Sequence, residues 1–241
     1  MSLRILDFEF VSYFGFRISN FMRDILGIFL SFAYVILVLI VAKKAEAKGW
    51  VSPFAARKWV HLLVGSWILP TFFLFDHWYT AIVPPFCFVW ANLYMARKRA
   101  FSFETEEAGY GTVYFPISFV FLLTCFWGDA VRCYAALGGL VMAWGDSLAA
   151  LIGKRWGLHH YPIGQTQKSF EGTLVMGGGA FVACFVSFLL FQHWTFKEMM
   201  VSSGILAVFS AVVESLSGRG LDNLTVPLGT AWLGYFLFAR F

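Results

Sequence analysis

In this 241-residue chain, acids, cations and small residues gather at a few places, at spacings that can bind or move charge. From Gly145 the sequence reads GDSLAALIGKRWGLHHYPIGQTQKSFEGTL. Asp146 stands seven residues before Gly153, so in a helix its carboxylate lies about 10 Å inside the end. An ionised group at such a depth in a membrane helix costs about 2.5 to 3.5 kcal/mol on insertion scales, and so needs a partner, a cation or a wet cavity. Ala149, Ala150 and Gly153 follow at i+3, i+4 and i+7 on the same face, and this small-residue stripe beside the acid leaves room for a ligand. The competing reading is structural: the stripe permits close helix packing and a lysine pairs with Asp146.

Lys154 and Arg155 close that helix, His159 and His160 follow in a loop, and Lys168, Ser169 and Glu171 stand immediately before Gly172. Cations in a glycine-bearing loop beside a helix N-terminus suit a polyphosphate, on which charge and free backbone amides converge. The same lysines and arginines could instead anchor helix ends at anionic headgroups. His159 and His160 are adjacent, which is not a metal-ligand helical spacing. Farther on, ESLSGRGLDNLTVP sets Glu214 across a tight turn from Asp222 and Asn223, with Arg219 between. Oxygen ligands so placed can bind Mg²⁺, although Asp222 could also be a simple N-cap. Two earlier segments add to the set. ARKWVH puts Arg57, Lys58 and His61 on one helical face, and FETEEAGYGTVYFP puts Glu104, Glu106 and Glu107 ahead of Gly109 and Gly111.

The elements that must carry these residues are set by composition. The chain is 59% hydrophobic, 20% aromatic and only 13% charged, which points to the bilayer as solvent. Its net charge of +4 is clustered between uncharged runs and forms no basic face, so a nucleic-acid binder is not expected. Cys87, Cys125, Cys133 and Cys184 lie in apolar runs without CxxC spacing, indicating neither zinc nor a disulfide framework. The N-terminus lacks a cleavable signal pattern, and residues 3–24 alternate aromatic and charged positions as an interfacial helix would.

Eight spans are expected, at 25–42, 59–75, 78–96, 108–128, 133–153, 172–196, 199–213 and 223–239. With the N-terminus outside, twelve of the eighteen Lys/Arg residues fall on inner loops, so the chain reads as an all-α, multi-pass integral membrane protein with its polar residues at the cytoplasmic face. No linker divides residues 25–241, which are expected to form one integral-membrane domain. GxxxG-like spacings such as Gly153 to Gly157 recur by chance and specify no oligomer.

GxxxxGK[ST], GxSxG, HExxH and GxGxxG are all missing, so a P-loop, hydrolase elbow, zincin or dinucleotide fold is not indicated. A membrane-embedded acid with cations and further acids on one side suits phosphoryl or nucleotidyl transfer to a lipid. A small transporter is the non-enzymatic alternative, with Asp146 as a proton or cation site, but it would require polar residues through the whole bilayer depth.

The blocks RKWVH, GYGTVYFP, WGDSLAALIGKRWG, KSFEGTL and ESLSGRGLDNLTVP, in this order from about Arg57 to Pro227, resemble those of the CTP-dependent lipid-alcohol kinases: dolichol kinase, phytol and farnesol kinases, and yeast-type diacylglycerol kinase. Phosphatidate cytidylyltransferases look like more distant relatives, and the run Ser217 to Asn223 departs from their terminal signature. The resemblance implies transfer of the γ-phosphate of CTP to the hydroxyl of a membrane alcohol. By the same resemblance, Asp146 and Asp222 would hold Mg²⁺, while Lys154, Arg155 and Lys168 would neutralise the triphosphate. Ser169, Arg57, Lys58, Arg219 and Asn223 would complete the nucleotide and phosphate contacts. Glu214 or Glu171 would be the general base, with His61 as the substitute.

Overall fold

The computed structural model of the chain describes residues 3–98, 110–163, 166–218 and 220–239 and, save for Lys98 and Thr166, their side chains from Phe21 onward. Glu104, Glu106, Glu107 and Arg219 lie outside the described residues. Almost everything described is helical, as a chain of this hydropathy requires, because in lipid a helix satisfies its own backbone groups.

Helix α1 (Leu3–Ala47) runs without a break from the segment 3–24 into the first apolar stretch. It is followed by α2 (Pro53–Ser66), α3 (Ile68–Leu74), the single turn α4 (Trp78–Ala81), α5 (Val83–Lys98) and α6 (Gly111–Cys125). Next come α7 (Arg132–Leu140), a π-helical segment (Val141–Asp146) and α8 (Ser147–Trp156), which together make one long helix. Strands β1 (His160–Ile163) and β2 (Thr166–Ser169) precede α9 (Phe170–Phe191), α10 (Phe196–Leu216) and α11 (Asp222–Phe238).

Among the described residues four helices are long and apolar enough to cross a membrane: Phe21–Ala47, Arg132–Trp156, Phe170–Phe191 and Phe196–Leu216. They match the first, fifth, sixth and seventh expected spans. The other expected spans are shorter or interrupted, and proline explains two of the interruptions. Pro70 lacks the N–H that would bond Ser66, so the ladder breaks between α2 and α3 at Trp67. Pro84 and Pro85 sit in the first turn of α5, where amides have no helical partner in any case, and the expected span 78–96 divides at Ile82.

The helix Arg132–Trp156 is the centre of the bundle: 72% of its apolar window is buried, against 22 to 39% for the other three. Every residue from Cys133 to Leu140 is buried. The outer helices turn large apolar side chains such as Phe29, Leu37, Phe121 and Phe236 outward, where lipid replaces water. Between helices, small hydroxyls bond in place of a hydrophobic drive: Ser210 meets Thr230 at 2.8 Å, and the Trp144 indole N–H donates to Ser66 Oγ at 2.9 Å.

Polar structure marks both ends of the bundle. At one end the buried Asp24 carboxylate accepts from the Asp76 N–H at 2.7 Å and lies 2.7 Å from His77 Nδ1, while Arg23 pairs with Asp76 at 3.0 Å. At the other end α2, α6, α9 and α11 begin and α8 and α10 finish, and Arg57, Lys58, His61, Asp146, Lys154, Lys168, Glu214 and Asp222 meet there.

Candidate active site

Helix α2 opens on a sequence that starts helices well. The Ser52 hydroxyl accepts from the Ala55 N–H at 3.2 Å and Pro53 takes the first helical position. Arg57, Lys58 and His61 then share one face, as their spacing predicts, and all three line a cavity of about 440 Å³, a volume in the range of small-molecule sites.

Asp146 reaches the same cavity from the last residue of the π-helical segment. A π-turn is rare and often marks a functional site. Ala149, Ala150 and Gly153 line the cavity with it, so the expected face is the observed one. The stripe also packs, as the structural reading expects. A Cβ on Gly153 would lie 2.8 Å from Ser169 Oγ and 3.3 Å from Gly172 Cα, so α8 and α9 meet at a distance only glycine allows. Asp146 does have a lysine: Lys58 Nζ lies 2.6 Å from its Oδ2, with both side chains buried.

The stretch expected as a loop after α8 is an antiparallel hairpin, with His160 opposite Ser169 and Tyr161 opposite Lys168. Two short strands are marginal alone, and this pair is tied to α9. The Phe170 N–H donates to His159 O at 3.0 Å and Tyr161 Oη meets Thr173 Oγ1 at 2.6 Å. Ser169 then caps α9, its hydroxyl accepting from the Gly172 N–H at 3.1 Å. Ser169, Gly172 and Thr173 place the N-terminal turn of α9 on the cavity wall, where the positive end of the helix dipole favours an anion. Lys168 beside them donates to the Glu214 backbone carbonyl and, at 2.5 Å, to its Oε1.

Across the cavity, Gly220 adopts φ +80°, a left-handed conformation suited to glycine, and brings the chain into α11. Asp222 is the first residue of that helix, ahead of its apolar run, and does not cap it: its Oδ1 accepts from the Asn223 N–H at 2.9 Å. Burial and then the Asp146 carboxylate push the Asp222 carboxyl above the ordinary carboxylate range. Asn223 donates from Nδ2 to Gly220 O at 3.1 Å and keeps its buried Oδ1 without a partner among the described residues. Helix α6 comes in close against this turn, since a Cβ on Gly111 would stand 2.9 Å from Asn223 Nδ2.

Ligand oxygens of Asp146, Glu214 and Asp222 all lie within 4.8 Å of one another. Three clustered carboxylates form an oxygen donor set of the hard kind that Mg²⁺ prefers. Arg57, Lys58, Lys154 and Lys168 line the same cavity, so it can hold an anion and a divalent cation together. Lys154 also stands 4.2 Å over the Phe54 ring.

Two residues expected in the site lie elsewhere. Arg155 stacks on Trp156 at 5.0 Å and Glu171 holds His159, Oε1 to Nδ1, at 2.7 Å; neither is part of the cavity wall. The sequence reading missed Thr112, which lines the cavity and has a buried Oγ1 with no partner among the described residues. Its only signal was its place inside the GYGTVYFP block.

Helices long and apolar enough to cross a membrane, with acids, cations and a helix N-terminus around one cavity, define an integral membrane protein whose site has the charges to hold an anion. The chain is 36% identical over 217 residues to a phytol kinase of Synechocystis, an alignment covering 87% of this chain and 91% of that protein. It is 29% identical over 141 residues to a farnesol kinase of Arabidopsis thaliana, covering 56% of this chain and 45% of that one. With a dolichol kinase of Saccharomyces cerevisiae it shares 31% identity over 116 residues, 46% of this chain and 21% of the other. The chain belongs to the lipid-alcohol kinase family. No family model and no solved structure matches it.

Proposed function

We propose that this protein transfers the γ-phosphoryl group of CTP to the hydroxyl of a membrane isoprenoid alcohol, with phytol the first alcohol to try and polyprenols the next. One observation carries the reading: three carboxylates within 4.8 Å of one another share a cavity with four cationic side chains and the start of α9. The phytol kinase relative, aligned over most of both chains, supports the acceptor class.

Asp146 and Asp222 would hold Mg²⁺, with Glu214 beside them, and the ion supplies charge neutralisation on the triphosphate. Arg57, Lys58, Lys154 and Lys168 bind and orient phosphate oxygens, while the Ser169 hydroxyl, as a donor, and the positive end of the α9 dipole favour a further one. Asn223 fixes the donor through its unpartnered Oδ1. The alcohol oxygen forms a bond to the γ-phosphorus, the bond from that phosphorus to the β,γ-bridging oxygen breaks, and CDP leaves. The hydroxyl proton passes to a base in the cavity. Glu171 faces away, so Glu214 and His61 are the two bases within reach.

We read the chain as crossing the bilayer eight times with both termini outside, which puts the cavity at the cytoplasmic end. The distribution of Lys/Arg supports this orientation. The test is purified protein in lipid micelles with Mg²⁺, γ-labelled CTP or ATP, and a panel of phytol, farnesol, polyprenol, diacylglycerol and phosphatidate. Label in an organic-soluble product with CTP and an isoprenoid alcohol is expected. Pyrophosphate release with phosphatidate alone would overturn the reading in favour of a cytidylyltransferase.

A further inference from the structure

A second recess adjoins the first. It lies between α1, α2, α5 and α6, encloses about 190 Å³, and is walled by side chains such as Val35, Val64, Phe88, Phe119 and Leu123. Arg57, His61 and Thr112 line both recesses, so the apolar groove and the polar cavity meet at a neck formed by these three.

Proline holds the neck in shape. Pro116 has no N–H, which frees the Thr112 carbonyl one turn earlier in α6, and Asn92 of α5 donates to that carbonyl at 2.7 Å. The ring of His61, 7% exposed, stacks on Phe115 at 4.5 Å between centroids. His61 Nδ1 and Thr112 Oγ1 are both buried without hydrogen-bond partners among the described residues. Two orphaned polar atoms at the mouth of an apolar groove are costly unless a ligand supplies the missing bonds.

We propose that this groove seats the first isoprene units of the acceptor alcohol, with the hydroxyl at the neck between His61 Nδ1 and Thr112 Oγ1. The proposal rests on the lipid-alcohol reading given above. A hydroxyl donates to Nδ1 of a neutral His61 and accepts from the threonine, matching both orphans. An apolar cavity of about 150 Å³ holds benzene, so about 190 Å³ holds roughly seven or eight carbons, about one and a half isoprene units. The rest of the chain leaves past Ala91, exposed on α5 at the rim, and lies in the bilayer. Recognition therefore falls on the hydroxyl end of the alcohol, and tail length beyond about ten carbons has little effect on KM.

The first test is photolabelling of the full-length protein in lipid micelles with a phytol analogue carrying a diazirine on its second isoprene unit. Label is expected on peptides containing Val64, Phe88 or Phe119, displaced by phytol about tenfold better than by phytane, which lacks the hydroxyl. Label confined to α9 and α10, or displaced equally by both competitors, overturns the proposal. A second test is Val64→Trp, which fills the groove and should raise KM for five-carbon and twenty-carbon alcohols alike, by about tenfold, while KM for the nucleotide stays within about twofold. An unchanged KM for both alcohols, or an equal rise in KM for the nucleotide, overturns it. Labelling requires no phosphoryl transfer, so groove label in a protein that phosphorylates no alcohol would sink the kinase reading and leave the groove standing as an alcohol site.

Discussion

Lys58 and Asp146, 88 positions apart in the chain, meet at 2.6 Å in the wall of the polar cavity. The pair joins α2 to the central helix and sets a cation against a carboxylate that has two further acids close by. Removing one partner of such a pair leaves an uncompensated buried charge, at a cost of about 3 to 5 kcal/mol.

Lys58→Met should therefore lower the thermal midpoint in detergent micelles markedly. Adding Asp146→Asn should restore most of that loss without restoring turnover. A double variant no more stable than Lys58→Met would show that the pair is not what holds the two helices together.

Asp146→Asn or Asp222→Asn alone should reduce turnover by about 10²-fold or more and weaken Mg²⁺ or Mn²⁺ binding followed by calorimetry. Unchanged cation affinity in both variants would remove these carboxylates from the metal role.

Glu214→Gln and Glu171→Gln should separate sharply. Glu214 lies in the cavity with Lys168, whereas Glu171 is held by His159 outside it. Turnover should collapse in the first variant and stay within about twofold of wild type in the second, as for a surface pair. A collapse with Glu171→Gln would mean the hairpin closes over the site during the reaction.

Asp222 should give cation binding a pH dependence. Its carboxyl is raised by burial and by Asp146, so without a cation it keeps its proton to a higher pH than an ordinary carboxyl does. A bound cation favours the charged form and must displace that proton. Affinity for Mg²⁺ should fall on acidification, beginning above the ordinary carboxylate range, and calorimetry in two buffers of different ionisation enthalpy should register proton release. The Asp222→Asn variant should lose this dependence.

Gly111→Ala pushes a methyl group to 2.9 Å from Asn223 Nδ2 and 3.2 Å from Gly220 Cα. The start of α6 has to move, at a cost of about 1 to 3 kcal/mol. We expect a lower thermal midpoint and a raised KM for the nucleotide, measured on the same preparation.

Much of the site can be read along the chain. The stripe from Asp146 to Gly153 follows helical spacing, and so does the face of Arg57, Lys58 and His61; both line the cavity as expected. The same rule excludes Arg155, nine residues after Asp146, because about 100° per residue turns it half-way round the helix. The partnership of Lys58 with Asp146 depends on tertiary approach and has no local signal. The hairpin was missed because its strands are four residues each and carry His, Pro, Gln and Lys rather than β-branched runs. The breaks at Trp67 and Ile82 are signalled along the chain by Pro70, Pro84 and Pro85. Thr112 acquires meaning only from its unpartnered hydroxyl.

The π-helical segment gives the central helix a change of phase. A wider turn takes in more residues than an α-turn, so the side chains on either side of Val141–Asp146 fall on separate rotational schedules. Up to Leu140 the helix is apolar filling on every side; from Asp146 onward it is a ruler that aims one acid and three small residues at a single target. Deleting one residue between Val141 and Gly145 would swing that ruler by about 100° and leave the filling in place. The fold would keep its centre and lose its aim.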